Sequence, residues 1–301
     1  MSRWTANSLL LLAAMIWGAA FVAQSTAMDS MGPLGFNGVR FILAAAAVAP
    51  FAWIEWKRSQ RRLSRSGYIK SVQVGILFFI AITAQQYGFF TTSVTNAGFL
   101  TALYVVLTPI MGIILFRTMP NPLIWPIVAL SMAGAYLLAG SLGTMKTGDL
   151  LMIVSALFWA LQIIYIGRLV NEQGNPVTIA FIQFLTTGII GLIAGLFLEP
   201  MELSNLRGAW IEIAYTGILS GGLSFTLQAI AQRYTPPSDA AILLSSESLF
   251  AALFGALLLG ERITPLQMLG CAFIFSCILL VELLPFLQRR IARRRKANLT
   301  V

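Results

Sequence analysis

The sequence contains no histidine, only two cysteines and few charged residues. Without histidine, a Ser/His catalytic pair and histidine metal ligands are excluded. Cys271 and Cys277 lie in one apolar run, too few and too poorly spaced for a zinc site or a disulfide framework. The lysines fall between or beyond the apolar runs, and no phosphate-binding glycine loop is present. We therefore expect no catalytic residues, no metal site and no cofactor, and an intramembrane enzyme is disfavoured.

Charged side chains make up only 10% of the 301 residues, whereas hydrophobic side chains make up 58%. Soluble domains carry about 25% charged residues, so this chain is too apolar to cover its own surface in water. About 20 consecutive apolar residues cross a membrane as a helix. Ten such stretches are predicted as membrane spans, near residues 5–28, 33–55, 70–91, 95–116, 121–140, 148–170, 177–198, 209–231, 239–259 and 264–287.

The positive charge is concentrated on one side of these spans. Six basic residues crowd the loop after the second span, and six more crowd the C-terminal tail, whereas the other side carries only Lys146, Arg207 and Arg262. The positive-inside rule then places both termini in the cytoplasm. The basic clusters are interpreted as orientation signals in contact with anionic membrane lipid, and no nucleic-acid partner is expected.

The chain contains an internal repeat. A shift of 143 residues aligns Gln85 with Gln228, Thr92 with Thr235 and Pro122 with Pro265, and a shift of 142 aligns Trp17 with Trp159. We predict one five-helix repeat over 1–141, a second over 146–287 and a basic cytoplasmic tail over 288–301. Because five is odd, the second repeat enters the membrane inverted. The predicted fold is an all-α integral membrane protein with ten transmembrane helices in two inverted repeats.

Several motifs resemble those of a known family. Thr235-Pro236-Pro237-Ser238-Asp239-Ala240-Ala241, then Gly255 through Arg262, and Trp17-Gly18-Ala19-Ala20-Phe21 are similar to motifs of the drug/metabolite transporter superfamily, in its ten-helix EamA type. The chain departs from that pattern at 115–118, where a Gly-Glu pair is usual, and at Glu247-Ser248, where Glu-Pro is frequent. The resemblance is strongest to bacterial exporters of aromatic and other amino acids. It implies a multi-pass secondary transporter of the inner membrane that takes a small-molecule substrate, and we expect the protein to be a monomer.

Polar side chains inside the spans predict where a substrate binds, because they are costly in hydrocarbon unless they face a cavity or a partner. Several recur on one helix face, and together they predict a cavity with aromatic and neutral polar walls. For Ser, Thr and Gly the alternative is close helix packing, as at Gly191 with Gly195 and at Gly217 with Gly221. The predicted cavity residues are Trp17, Gln24, Gln86, Thr101, Tyr104, Thr108, Trp159, Gln162, Tyr165, Ser224, Gln228, Ser245, Ser246 and Glu247.

Two ionisable residues lie well inside predicted spans. Glu247 either binds a substrate ammonium group, exchanges protons during transport or serves as a structural carboxylic acid. Arg40 either snorkels outward, pairs with Glu247 or another acid, or attracts a substrate carboxylate. The two are therefore candidates for a charge pair or a coupling site.

The function predicted from these features is export of neutral amino acids, aromatic ones included, or of similar small metabolites by alternating access. Two alternatives stay open. One is a proton-coupled efflux carrier for another class of drug or metabolite. The other is a passive channel or lipid scramblase.

Overall fold

The structure is a computed structural model that describes residues 1–60, 62–139, 145–259 and 263–298, without the side chains of 259 and 284–298. The regular secondary structure of this part is entirely helical. Arg61, the Gly260-Glu261-Arg262 part of the family motif and the basic side chains of the tail, to which predictions were attached, lie outside what is described. The helices are α1 (Arg3–Ala27), α2 (Pro33–Arg58), α3 (Arg65–Gly88), α4 (Val94–Thr101), α5 (Tyr104–Phe116), α6 (Ile124–Ala139), α7 (Thr147–Gln173), α8 (Pro176–Leu198), α9 (Leu203–Gly208), α10 (Trp210–Ala214), a π-helical segment (Tyr215–Ser224), α11 (Phe225–Ala231), α12 (Pro237–Leu244), α13 (Glu247–Leu259) and α14 (Pro265–Asn298).

These helices account for the predicted spans. Nine helical stretches of the described chain are long and apolar enough to cross a membrane, and α6, with 16 residues, is a shorter apolar helix at the predicted fifth span. The fourth span consists of α4 and α5, the eighth of α10, the π-helical segment and α11, and the ninth of α12 and α13. Proline occupies the first turn of α2, α8 and α12, where its missing N–H is not needed.

The spans pack in a pattern that recurs between the first five and the last five. The second span packs along the seventh, and the fifth along the tenth. The third span packs on the sixth and the seventh, just as the eighth packs on the first and the second. The first span also packs on α13 of the ninth, and the sixth on α4 and α5 of the fourth. Exchanging the first five spans for the last five therefore leaves this set of pairings unchanged.

Glycines bring α2 and α8 into backbone contact, as their spacing on α8 predicted. A Cβ atom on Gly38 would lie 2.4 Å from the backbone nitrogen of Leu192, and one on Gly195 would lie 2.8 Å from Cα of Gly35. A Cβ atom on Gly217, in the π-helical segment, would lie 2.9 Å from the carbonyl oxygen of Arg40. Larger residues at these positions would force the helices apart.

Two carboxylates fasten the ends of the α2–α8 pair. Glu199, which follows α8, accepts hydrogen bonds from the backbone N–H groups of Leu34 (3.0 Å) and Gly35 (2.8 Å) at the start of α2. Glu55, near the end of α2, accepts hydrogen bonds from the N–H groups of Val177 (3.3 Å) and Thr178 (2.7 Å) at the start of α8. Each carboxylate satisfies N–H groups that a helix start leaves free. Because each contact joins the C-terminal end of one helix to the N-terminal end of the other, α2 and α8 run antiparallel.

Candidate functional site

A cavity lies at the centre of the bundle, between spans from both halves of the chain. Its free volume, which includes space open to the outside, is about 480 Å³, but the centre of a water molecule can move through only about 30 Å³ of it. That is room for about two waters, so the side chains have nearly closed the cavity. The lining residues are Trp17, Phe21, Gln24, Arg40, Phe41, Ile82, Gln85, Thr101, Tyr104, Trp159, Gln162, Ile163, Ser220, Phe225, Gln228, Leu244 and Glu247.

Arg40 is held on one side of the cavity by neutral amide groups. Its guanidinium group donates to Asn37 Oδ1 from Nε (3.0 Å) and Nη2 (2.7 Å), and from Nη2 also to Gln24 Oε1 (3.2 Å) and Gln86 Oε1 (3.3 Å). The side chain is 1% exposed, and its planar group lies 4.7 Å from the ring centre of Phe36. Among the described residues no carboxylate forms an ion pair with Arg40, so the predicted Arg40–Glu247 pair does not form. The amides fix the guanidinium group without neutralising its charge.

The network continues from Arg40 to an indole. Gln85 Nε2 donates to Gln24 Oε1 (3.3 Å), and Trp159 Nε1 donates to Gln85 Oε1 (2.8 Å). The ring of Trp159 is stacked on that of Phe225, with centroids 5.5 Å apart and planes 10° apart, and Trp17 lies 4.3 Å from the same Phe225 ring. These aromatic faces form an apolar wall beside the polar groups.

A second chain of amides lies on α7, α8 and α11. Gln162 Nε2 donates to Gln183 Oε1 (3.0 Å), and Gln228 Nε2 donates to Gln162 Oε1 (3.2 Å) and to Gln232 Oε1 (3.1 Å). Gln232 Nε2 in turn donates to the carbonyl oxygen of Ile163 (2.9 Å). This chain carries no formal charge, in contrast to the one that contains Arg40.

The fourth and ninth spans are both interrupted beside the cavity. The first break lies between α4 and α5, just before Tyr104, and the second lies between α12 and α13, just before Glu247. Tyr104 and Glu247 are aligned by the shift of 143 residues, both line the cavity, and the two side chains interact electrostatically. The duplicated breaks therefore present a phenol and a carboxyl group at equivalent places.

Comparison with known proteins identifies the family. The model of the EamA-like transporter family matches residues 4–140 and again residues 146–283. The chain belongs to this family. It is therefore a membrane transporter of the drug/metabolite transporter superfamily, as the sequence motifs predicted.

Individual relatives span most of the transporter. An uncharacterized transporter of Archaeoglobus fulgidus is 33% identical over 281 residues, which is 93% of this chain and 87% of the relative. The threonine/homoserine exporter RhtA of Escherichia coli K12 is 27% identical over 290 residues (92% and 90%). The uncharacterized inner membrane transporter YedA of the same strain is 22% identical over 280 residues (89% and 88%). These relatives, together with the nine long apolar helices among the described residues, confirm the predicted multi-pass inner-membrane location.

A protein of known crystal structure shares the fold. It aligns with a TM-score of 0.77 at 16% identity and covers 96% of this chain and 99% of its own. At this identity the likeness concerns the fold alone.

The structure brings most of the predicted cavity residues together. Eight of the fourteen line it, from five spans, and Arg40, the candidate for a charge pair, lines it from a sixth. The eight are Trp17, Gln24, Thr101, Tyr104, Trp159, Gln162, Gln228 and Glu247. All are buried.

Six predicted residues do not line it. Gln86 is buried next to the lining residue Gln24 and donates to its backbone carbonyl oxygen (2.8 Å). Tyr165 is 38% exposed and packs edge-on against Phe116 on the outer surface. The hydroxyl groups of the remaining four bond to carbonyl oxygens of their own spans, as serine and threonine often do. These four are Thr108 (to Tyr104, 2.7 Å), Ser224 (to Leu219, 3.0 Å), Ser245 (to Ile242, 2.7 Å) and Ser246 (to Leu243, 2.6 Å).

The repeat contained a signal for residues that the polarity argument missed. Many lining residues form pairs related by the shift of 142 or 143 residues, and Gln85, the partner of Gln228, is the clearest omission. Apolar lining residues such as Ile82 cannot be found by a search for polar side chains inside the spans. The equivalent pairs are Trp17 with Trp159, Phe21 with Ile163, Ile82 with Phe225, Gln85 with Gln228, Thr101 with Leu244, and Tyr104 with Glu247.

Proposed function

We propose that this transporter is a secondary carrier that exports neutral amino acids, aromatic ones included, or similar small zwitterionic metabolites. One observation carries the proposal: Arg40 and Glu247 line the same cavity without forming an ion pair with each other. Charges inside a membrane are costly unless they are paired. Two opposite charges that do not pair with each other are both compensated by a ligand that carries one charge of each sign. A zwitterion offers a carboxylate to Arg40 and an ammonium group to Glu247.

The remaining walls fit the rest of such a ligand. Trp17, Trp159 and Phe225 offer aromatic faces, and Gln85 and Gln228 offer neutral hydrogen-bonding groups. A multivalent anion or a bare cation would leave one of the two charges opposed or unpaired. Export of threonine and homoserine by the relative RhtA supports both the substrate class and the direction.

We propose that transport proceeds by alternating access between two inverted repeats, 1–141 and 146–287, with both termini and the tail 288–301 in the cytoplasm. The antiparallel course of α2 and α8 and the matching breaks in the fourth and ninth spans support this arrangement. The cavity has room for about two waters, so a bound amino acid requires the surrounding spans to move apart. We propose that a monomer suffices, since the cavity is formed within one chain.

Counterflow in proteoliposomes tests the proposal. Vesicles loaded with an unlabelled amino acid and diluted into labelled threonine, homoserine, phenylalanine or tryptophan should accumulate label in a saturable way. Flux that rises linearly with concentration and shows no exchange would instead indicate a passive channel. A pH step across the vesicle separates a proton-coupled carrier from an exchanger.

Two variants connect the result to the cavity. Arg40→Gln installs the residue found at the equivalent position 183, and Glu247→Gln removes the opposite charge with little change of shape. Each should lower counterflow at least tenfold, whereas Glu172→Gln, at an exposed ion pair with Lys70, should leave it unchanged. Full counterflow by both cavity variants would contradict the assignment of these two residues.

A further inference from the structure

Three polar atoms at the cavity form no hydrogen bond of normal geometry among the described residues, although Tyr104 and Glu247 lie close enough to interact with each other. They are Tyr104 Oη, Gln228 Oε1 and Glu247 Oε1. The three side chains are 3%, 1% and 5% exposed, so bulk water has little access to them. A buried polar group without a partner destabilises the fold, because it has lost its hydrogen bonds to water. These three oxygens around one cavity can therefore accept hydrogen bonds from a bound ligand.

The orientation of the Gln228 amide is fixed by its neighbours. The carbonyl oxygen of Ile163 can only accept, so Gln232 must turn its nitrogen toward Ile163 and its oxygen toward Gln228. Gln228 therefore turns its nitrogen toward Gln232, and its oxygen is left at the cavity. The unpaired atom of Gln228 is thus the amide oxygen, which is an acceptor.

We propose that Tyr104, Gln228 and Glu247 form the binding site for a primary ammonium group and that they discriminate against N-methylated ligands. This inference rests on the proposed function and specifies how that cavity recognises its substrate. The site offers a carboxylate and an amide oxygen, which only accept, and a phenol oxygen, which also accepts. A primary ammonium group has three N–H donors and one positive charge, so it satisfies all three oxygens and the charge of Glu247 together.

Other cations fit the same residues less well. A metal ion of the hard type takes about six oxygen ligands, and among the described residues Glu247 has no second carboxylate beside it in the cavity. A quaternary ammonium group would find the aromatic faces of Trp17 and Phe225 but would leave the three oxygens unpaired. Arg40 cannot serve as the cation for these oxygens, because the amide groups of Asn37, Gln24 and Gln86 hold it.

Ligand competition tests the proposal on the purified full-length transporter. Binding of labelled L-threonine and L-phenylalanine is measured against their N-methyl, N,N,N-trimethyl and desamino derivatives. We expect one N-methyl group to weaken binding about tenfold and three to weaken it about 100-fold or more, since donors are lost one after another. Trimethyl derivatives that bind as tightly as the parent amino acids would overturn the proposal, as would competition by NaCl but not by choline chloride.

Variants separate recognition of the ammonium group from general damage to the cavity. Tyr104→Phe removes one hydroxyl group and should weaken amino-acid binding about fivefold, while Glu247→Gln should weaken it about tenfold to 100-fold. Neither should weaken binding of the desamino derivatives, which lack the ammonium group. Tyr136→Phe removes a hydroxyl group from an exposed tyrosine of α6 and serves as the matched control.

The outcomes distinguish a failure of the ammonium site from a failure of the proposed transport function. Equal weakening of amino acids and desamino derivatives by Tyr104→Phe would overturn the ammonium site while leaving amino-acid transport in place. Failure of every amino acid to bind or exchange would overturn the proposed function, and the ammonium site with it. Thermal unfolding of each variant shows that the comparison is made on folded protein.

Discussion

The carboxylates of Glu55 and Glu199 allow a quantitative test of how α2 and α8 are held together. In Glu→Gln variants one carboxylate oxygen becomes an NH₂ group, which cannot accept from a backbone N–H. Each variant therefore loses at least one of its two backbone hydrogen bonds, at 2.7–3.3 Å, and the charge that faces a helix start. Both side chains are only half-buried, so water recovers part of the loss.

The expected cost is about 2 kcal/mol for each variant. A hydrogen bond to a charged group contributes about 1.5–3 kcal/mol, and the lower part of this range applies at half-buried sites. The favourable interaction of the charge with the helix start adds about 0.3–1 kcal/mol. At roughly 2 °C per kcal/mol, each variant should unfold about 4 °C below the parent. The two sites lie at opposite ends of a helix of 26 residues, about 39 Å long, so the double variant should unfold about 8 °C lower.

Thermal unfolding in detergent, followed by the fluorescence of a thiol probe or by loss of the monomer peak, measures these shifts. Glu172→Gln is the matched control, because Glu172 and Lys70 form an exposed ion pair that contributes little. If Glu55→Gln and Glu199→Gln shift the midpoint no more than Glu172→Gln does, the carboxylates do not fasten the helix pair. A double variant no worse than either single variant would show that the two ends are not independent.

Further predictions concern packing and the indole network. Gly38→Ala places a Cβ atom 2.4 Å from the backbone of Leu192 and should cost about 1–3 kcal/mol in thermal unfolding, whereas Gly112→Ala, whose Cβ would meet only Thr118 Oγ1 at 3.4 Å, should cost little. Equal midpoints for the two would contradict the close approach of α2 and α8. Trp159→Phe keeps an aromatic ring but leaves Gln85 Oε1 without its donor, and it should raise the KM for counterflow severalfold. An unchanged KM would show that the indole N–H does not position Gln85.

Much of the fold could be predicted from the sequence because the membrane imposes simple rules. Span length, proline at helix starts and the asymmetry of basic residues are visible in the order of residues. The breaks in the fourth and ninth spans were not predicted. The sequence predicts that Ser245, Ser246 and Glu247 all line the cavity, whereas the hydroxyls of Ser245, Ser246 and the adjacent Ser248 bond to nearby carbonyl oxygens of the same span.

Prediction of the candidate site was limited by a different ambiguity. Helical spacing shows which residues share a face, but it does not show whether that face meets the cavity, a neighbouring helix or lipid. Tyr165 follows Gln162 by less than one turn, yet Gln162 lines the cavity and Tyr165 is exposed on the surface. Gln85 and Gln86 are adjacent and chemically identical, and only the alignment of Gln85 with Gln228 distinguishes them.

The differences between equivalent positions give the cavity its polarity. Trp159 donates its N–H to Gln85, and the same bond in the other half would join Trp17 to Gln228. Trp17 donates instead to the carbonyl oxygen of Ser220 (3.0 Å), in the π-helical segment of the eighth span, whereas the third span is a continuous α-helix. The oxygen of Gln228 is consequently left unpaired. π-Helical turns inside α-helices are often found at functional sites. Here the π-helical segment supplies the carbonyl oxygen to which Trp17 donates, so that Gln228 Oε1 has no donor. Two further equivalent positions differ: Glu247 corresponds to Tyr104, and Gln183 corresponds to Arg40. Together with the unpaired oxygen of Gln228, these differences make one side of the cavity suited to a cation and the other side suited to an anion.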